Sequence, residues 1–196
     1  MARRSSHSRE ELAGLVVSAA RELLESDGGQ GLTMRAIATK IGYAAGSIYN
    51  AVGDQEVVRR RVDAEVLEGL VACLEAVPAS EAALERAERI AETYIEYVLA
   101  HARLWAALLE HPPLPGDAVP DFYSRPRARL IEIVAEAIQP FFEDKAELRL
   151  AVIALWSALQ GVAALAVGGN LHFLAEEVAP KEIARSIVRR YLSGKS

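Results

Sequence analysis

The segment from Gly31 to Val58, GLTMRAIATKIGYAAGSIYNAVGDQEVV, constrains the fold of this chain more than any other feature. Thr33 is a favourable N-cap residue, and Ile37 and Ile41 then lie one turn apart on one side of a helix. Gly42 tolerates a positive φ, which is a common way for a helix to end. The segment therefore begins with a short helix that a tight turn follows at once.

A second short helix is predicted after that turn, from about Ala44 to Val52. Its apolar residues Ile48 and Val52 lie one turn apart and would face inward. Two short helices joined by a turn that contains glycine form a helix-turn-helix, whose second helix can enter the DNA major groove. The residues predicted on its outer side are small or hydrogen-bonding, which suits close approach to base edges: Gly46, Ser47, Tyr49 and Asn50.

This segment resembles the DNA-binding segment of the tetracycline-repressor (TetR) family. The shared pattern is a capping threonine, Ile-Ala, a turn glycine, a recognition helix with Gly-Ser/Thr-aliphatic-Tyr, and a glutamate that opens a long helix. The matching residues are Thr33, Ile37, Ala38, Gly42, Gly46, Ser47, Ile48, Tyr49 and Glu56. The departures are Ala44 and Ala45 in place of a hydroxyl cap and a frequent lysine, Ala51 and Val52 in place of an aromatic pair, and Gln55 in place of a phosphate-binding lysine.

The pattern and the resemblance together predict a DNA-binding surface. Asparagine pairs bidentately with adenine, and basic arms reach phosphates or the minor groove. Structural alternatives are a disordered basic tail, a Tyr49 packed inside the unit, and an Asn50 that is only an exposed helix end. The run from Arg59 to Arg61 is interpreted mainly as a solvated face. The predicted DNA-binding residues are Arg3, Arg4, Thr33, Arg35, Tyr43, Ala44, Ala45, Gly46, Ser47, Tyr49, Asn50 and Gln55.

Helical periodicity extends along the whole chain, and no β pattern or internal repeat is present. Ser8 and Glu11 form a capping-box pattern at the start of the first helix, and Ser80 is the predicted cap of a later one. The predicted fold is all-α with about nine helices, as the TetR resemblance implies over the whole length. Residues 1–53 would form a three-helix DNA-binding unit, and residues 54–196 a helical domain for effector binding and dimerisation.

Charge and cysteine content agree with an intracellular DNA-binding protein. The formal net charge is −5, yet residues 1–62 carry nine Lys or Arg against seven Asp or Glu, so the positive excess lies with the helix-turn-helix. The single cysteine, Cys73, excludes an internal disulfide, fits a reducing cytosol and is predicted to be a core residue. Without a secretory signal in the sequence, we expect a cytoplasmic protein.

One apolar stretch requires a choice between membrane and core. Residues 150–167 contain no charged side chain and approach the length of a membrane-spanning helix. We interpret them as a helix buried in a core or a subunit interface, with no membrane partner. The helix that contains this stretch, predicted over about 146–167, and a helix over 181–192 are predicted to form a four-helix contact in a homodimer, through Ala151, Ala154, Ala158, Gly161 and Leu165.

The second half of the chain also resembles one type of TetR regulatory domain. Residues 156–161, WSALQG, are similar to its Trp-x-x-x-His-Gly pattern, with Gln160 in place of the histidine. This resemblance implies that the helical bundle binds a small effector, apolar or aromatic. Ordinary core packing is the alternative for most of the candidate ligand-binding residues, which are Tyr94, Tyr97, His101, Trp105, Phe122, Tyr123, Trp156 and Gln160.

No sequence pattern indicates an enzyme. The four histidines have no zinc-binding spacing, and neither a phosphate-cradling glycine loop nor a GxSxG elbow is present. We therefore expect no catalytic residues, no metal and no cofactor. The chain is interpreted as a dimeric transcriptional regulator, a repressor that binds double-stranded DNA at a palindrome and is released by an effector. The alternatives are a helical binding module that does not bind DNA and an enzyme with an unrecognised site.

Overall fold

The computed structural model describes residues 7–78, 82–113, 118–174 and 177–194. Every regular element in these ranges is helical, which confirms the all-α prediction. Nine of the described α-helices have eight or more residues, and one four-residue helix and two short 3-10 helices accompany them. The α-helices are α1 Arg9–Asp27, α2 Met34–Ile41, α3 Ala45–Val52, α4 Gln55–Glu75, α5 Ala83–Ala100, α6 Ala102–Glu110, α7 Asp121–Ile138, α8 Lys145–Val167, α9 Leu171–Leu174 and α10 Pro180–Ser193.

Local capping signals place the helix ends where the sequence predicts them. The Ser8 side chain accepts a bond from the Glu11 N–H at 3.2 Å, and the Glu11 carboxylate accepts one from the Ser8 N–H at 2.6 Å. This complete capping box begins α1. Thr33 caps α2, and Gly42 ends it with φ at 73°. The predicted cap Ser80 lies outside the described residues.

The chain divides into two compact units. The first comprises the described residues up to Val66 together with Arg103–Tyr123, so that it contains α1 to α3, the first half of α4, and α6. The second comprises Leu67–Ala102 and the described residues from Ser124 onwards. The first unit is thus larger than the DNA-binding domain predicted at 1–53, and that functional boundary stays a prediction.

Apolar residues from three helices meet in the core of the first unit. Val16 and Ala20 of α1, Ile37 of α2 and Ile48 of α3 are all 0% exposed. Residues four apart on a helix share one face, so each helix turns one apolar stripe inward. Burial of Ile48 fixes the orientation of α3 and leaves its other sides to solvent.

In the second unit, α5 and α10 pack together and carry a row of ion pairs. Glu88 is 3% exposed and accepts bonds from Arg185 at 2.9 Å and Arg189 at 2.6 Å. Lys181 pairs with Glu96 at 2.8 Å further along. The hydrogen bond from Arg189 lowers the pKa of the Glu88 carboxyl, even though burial acts in the opposite direction. The pairs fix α10 on α5 in one register.

Helix α8 exposes part of its apolar surface. Leu150 and Ile153 are 66% and 54% exposed, and Ser157 and Gly161 continue the same face. Ala151 is 0% exposed, because it faces the core of its own unit. Its predicted place in a contact between two copies is therefore wrong.

Two sequence-based expectations concern burial and membranes. Cys73 of α4 is exposed, so its predicted core position is wrong; the buried stripe of α4 passes through Leu70 and Leu74 instead. Among the described helices, α8 alone is long and apolar enough to cross a membrane. A single such helix is weak evidence, because core helices of soluble proteins have the same length and composition.

Candidate functional site

The helix-turn-helix presents the outer side of α3 to solvent. Ile48 and Val52 are 0% and 6% exposed and hold α3 against the core. The residues predicted on its outer side are exposed, and Tyr49 at 57% exposure does not pack inside the unit. The exposed predicted DNA-binding residues of this region are Ala44, Ala45, Gly46, Ser47, Tyr49 and Asn50.

The first turn of α3 is accessible at the level of the backbone. Its N-cap is Ala44, which supplies no side-chain hydrogen bond to the turn. A Cβ atom added at Gly46 would meet no atom within 4 Å, so packing does not require glycine there. Small side chains at a helix N-terminus allow a negatively charged group to approach the backbone N–H groups closely. This surface therefore suits contact with DNA.

The turn and the segment before α1 lie together. His7 Nδ1 is 2.6 Å from the Tyr43 hydroxyl, and Arg9 Nε donates to the Ala51 carbonyl of α3 at 3.3 Å. Tyr43 is half-buried in the turn between α2 and α3. The predicted arm residues Arg3 and Arg4 lie outside the described residues.

Helix α2 adds hydroxyl and basic groups beside α3. The Thr33 hydroxyl accepts a bond from an N–H of the first turn at 3.0 Å, so this oxygen already acts as a cap. Arg35 is exposed, and Lys40 pairs with Glu22 of α1 at 2.8 Å. Gln55 is exposed at the first position of α4. These groups could contact phosphates on either side of a bound groove.

The predicted solvated face of the arginine run is wrong for its first two members. Arg59 and Arg60 are 3% and 9% exposed. Arg59 donates to the carbonyls of Gly29 and Ala107 at 3.2 and 3.3 Å, and lies 3.1 Å from Nδ1 of His111. Arg60 donates to the His111 carbonyl at 3.0 Å. These bonds tie α6 to α4 and to the segment that follows α1, within the first unit.

The predicted ligand-binding residues divide between the two units. Trp105, Phe122 and Tyr123 belong to the first, where Trp105 and Tyr123 are 1% and 0% exposed. Arg60 stacks over the Tyr123 ring at 5.0 Å, and Arg61 over the Phe122 ring at 5.1 Å. Buried packing thus accounts for two of these three aromatic residues.

The remaining five candidates lie in the second unit. The Tyr94 hydroxyl donates to Gln160 Oε1 at 2.5 Å, and the Tyr94 ring lies 5.6 Å from that of Trp156. Burial raises the pKa of the Tyr94 hydroxyl, which keeps it protonated as a donor. Tyr97 stacks on His101 with the ring centroids 4.2 Å apart. These five residues therefore form two small clusters, one of Tyr94, Trp156 and Gln160 and one of Tyr97 and His101. The role of either cluster in ligand binding stays a prediction.

Sequence reasoning missed an aliphatic cavity in the second unit. Its volume is about 20 Å³, roughly the space of one water molecule. Helices α5, α7, α8 and α10 all line it, and its walls include Ile90, Val134, Leu155, Leu159 and Val188. Only the ordinary helical periodicity of these residues is visible in the sequence, and it does not indicate a gap between helices. Among the described residues, no group of three or more His, Cys, Asp or Glu could hold a metal ion.

Family models and one known protein are similar to this chain in sequence. Residues 16–51 match the family model of bacterial regulatory proteins of the tetR family, and residues 87–191 match the tetracyclin repressor-like C-terminal domain. An uncharacterised HTH-type transcriptional regulator of Mycobacterium tuberculosis is 29% identical over 79% of this chain and 69% of its own length.

Solved structures share the fold over nearly the whole chain. A protein of unknown function from Rhodococcus sp. RHA1 has a TM-score of 0.78 at 19% identity, with 98% of each chain covered. A TetR transcriptional regulator from Streptomyces coelicolor has a TM-score of 0.69 at 20% identity, covering 96% of this chain and 97% of its own. The C-terminal family model spans more than half of the sequence. The chain therefore belongs to the TetR family of transcriptional regulators.

Proposed function

We propose that this protein is a dimeric, cytoplasmic, one-component repressor that binds a palindromic operator and is released by a small effector. The observation that carries the proposal is the surface of α3, which exposes small and hydrogen-bonding side chains while Ile48 and Val52 hold the helix in place. Regulators of the TetR family bind DNA and small-molecule effectors and act as dimers.

The proposed DNA contacts follow from the position of each exposed side chain. Ser47 and Asn50 lie about one turn apart on α3, and Asn50 is the proposed partner of an adenine. Tyr43, Tyr49, Arg35 and the backbone at the start of α3 are assigned to phosphates. Gln55 supplies a weaker phosphate contact than lysine would, because its side chain carries no charge.

The proposed dimer contact uses the exposed face of α8. Leu150, Ile153 and Leu165 are 66%, 54% and 36% exposed, and Gly161 lies between them on the same helix. Half-buried Ile187 of α10, a helix that packs against α8, is the proposed extension of this surface. In a two-fold dimer the same patch meets its own copy, and two recognition helices reach half-sites about 34–36 Å apart.

The proposed effector is apolar or aromatic and binds in the second unit. The aliphatic cavity is too small for such a ligand as it stands, so binding would separate the helices that line it. Helix α4 contributes residues to both units and is the proposed lever. A coupling of about 1–3 kcal/mol would change operator affinity roughly 5- to 150-fold.

Selection of binding sites from random duplex DNA tests the proposal. A repressor enriches a palindrome whose half-sites are separated by about one helical turn, and its binding weakens as salt rises. A helical module without DNA binding, or an enzyme, enriches no sequence. Recovery of no palindrome by the full-length protein at low salt would contradict the proposed function.

A further inference from the structure

The side of α5 that lines the aliphatic cavity continues into a polar group. Ile90 and Ala91 line the cavity, and Tyr94 lies one turn further along the same side of the helix. The Tyr94 hydroxyl donates to Gln160 Oε1 of α8 at 2.5 Å, and Gln160 directly follows Leu159, another residue of the cavity wall. The hydrogen-bonded pair therefore lies within about one helical turn of the cavity.

The bond from Tyr94 determines which part of the Gln160 amide can bind a ligand. Oε1 already accepts a hydrogen bond from the hydroxyl, whereas no acceptor among the described residues is bonded to the Nε2 group. An amide nitrogen supplies two N–H donors and no acceptor. Gln160 is half-buried, so water can satisfy these donors in the free protein, and a ligand can replace that water. The ligand group that binds here must be an acceptor, such as a carbonyl oxygen.

The neutrality of the Gln160 side chain selects among acceptors. A carboxylate taken out of water beside a neutral amide loses its hydration and gains no counter-ion from that residue. An ester, ketone or lactone carbonyl needs only a hydrogen bond. Half-buried Trp156 adds an apolar wall, since its ring lies 5.6 Å from that of Tyr94. These surroundings favour an uncharged carbonyl group.

We propose that the effector is a neutral amphiphile, whose alkyl chain enters the aliphatic cavity and whose carbonyl oxygen accepts a hydrogen bond from Gln160 Nε2. Only Ala, Ile, Leu and Val line the cavity, so its wall offers the chain no side-chain hydrogen bond. The cavity has room for one water molecule, and an unbranched chain requires the least separation of the helices around it. This assignment rests on the effector-controlled function proposed above and names the chemical class of the effector.

Calorimetric titration of the full-length protein without DNA tests the assignment, with methyl octanoate, octanoate and octylammonium as probes. We expect methyl octanoate to bind at least about tenfold more tightly than the other two, because octanoate is charged and octylammonium has no acceptor. Among methyl esters of increasing chain length, each added methylene should tighten binding about fourfold until the cavity is filled. Failure of every ester to bind, or equal binding of octanoate, would overturn the assignment.

Substitutions of Gln160 separate recognition of the carbonyl from general packing. Gln160→Glu keeps an acceptor for the Tyr94 hydroxyl but replaces the N–H donors by a negative charge. We expect ester binding to weaken on the order of tenfold and octylammonium binding to strengthen by a similar factor. Gln160→Met has a similar size and no donor, so it should weaken ester binding without the gain for octylammonium. Ester binding at the wild-type level in either folded variant would overturn the assignment.

A control and a cavity variant complete the experiment. Gln139→Glu makes the same chemical change at an exposed position of the second unit and should bind both probes as the wild type does. Val188→Ala widens the cavity and should shift the preferred ester to a chain about two carbons longer; an unchanged preference would place the chain elsewhere. A protein that binds the ester through Gln160 but recognises no duplex would contradict the DNA-binding function and leave the site intact.

Discussion

Asn50 lies on the exposed side of α3, where its side chain contributes nothing to the core. We expect Asn50→Ala to cost about 1–3 kcal/mol at a single operator position, because an asparagine that pairs with adenine reads one base pair. Titrations against every single-base variant of the operator measure this cost. Equal weakening on all sequences would instead assign Asn50 to a phosphate.

Gln55 occupies the position at which the family commonly has a phosphate-binding lysine. We expect Gln55→Lys to steepen the slope of log K against log salt by up to about one unit per subunit. Ala72→Lys is the matched control, since it adds the same charge at an exposed position about five turns further along α4. Equal slopes in the two variants would show that position 55 does not face the DNA backbone.

The structural role of a single residue was predictable from the sequence when that role depends only on residues close to it in the chain. Ser8, Thr33 and Gly42 act on groups within five residues, and the structure confirms all three. Arg59 was not predictable in this way. Its burial depends on carbonyls contributed by Gly29 and Ala107, and the second of these is 48 positions away in the sequence.

Attachment of α6 depends on the buried Arg59. We expect Arg59→Met to lower the free energy of unfolding by about 1–3 kcal/mol, because it leaves the Ala107 and Gly29 carbonyls without a strong donor. Arg35→Met is the control, since Arg35 is exposed and its loss should change stability by less than about 0.5 kcal/mol. Urea unfolding measures both variants. Equal effects would mean that the buried bonds add nothing to stability.

The ion pairs between α5 and α10 should make stability depend on pH. The pKa of the Glu88 carboxyl is lowered in the folded state, so its contribution is present above the unfolded value of about 4.3 and is lost as the pH falls through the folded value. We expect Glu88→Gln to cost on the order of 1 kcal/mol near neutral pH and little in acid.

Urea midpoints measured from about pH 2.5 to 7 would show this difference. Glu96→Gln is the control, because its pair with Lys181 is solvent-exposed at both ends and should matter less. If Glu88→Gln costs as much at pH 2.5 as at pH 7, the cost comes from packing and not from the charge pair.

Helices were predictable as elements because apolar periodicity and caps are local. The packing of the helices against one another was less predictable from the sequence. The sequence shows α8 as apolar on all sides, and only the structure distinguishes Ala151, which faces the core, from Ile153, which faces solvent. The aliphatic cavity depends on the fit of four helices that are far apart in the chain, and no local pattern encodes such a gap.

At the scale of the whole molecule, the exposed face of α8 should decide the oligomeric state. Ile153→Glu places a charge on that face, where a monomer tolerates it because Ile153 is 54% exposed. We expect a folded monomer that has lost operator binding, since two copies of the charge would meet across a two-fold contact. Sedimentation and operator titration measure both properties.

The same substitution elsewhere on the second unit provides the comparison. Ile131 of α7 is 43% exposed, so Ile131→Glu introduces an equal charge at a comparable surface position. This control should remain dimeric and bind the operator. A stable dimer of Ile153→Glu that still binds DNA would assign the subunit contact to another face.

The open space at Gly46 affects how the operator specificity of such a regulator can evolve. A Cβ atom added there would meet no neighbouring atom within 4 Å, and the adjacent residues Ala45 and Ser47 are exposed as well. Substitutions on this surface therefore cost the fold little. After gene duplication, one copy can drift toward a different operator while the other keeps the original, so regulatory connections can be rewired without a passage through unstable intermediates.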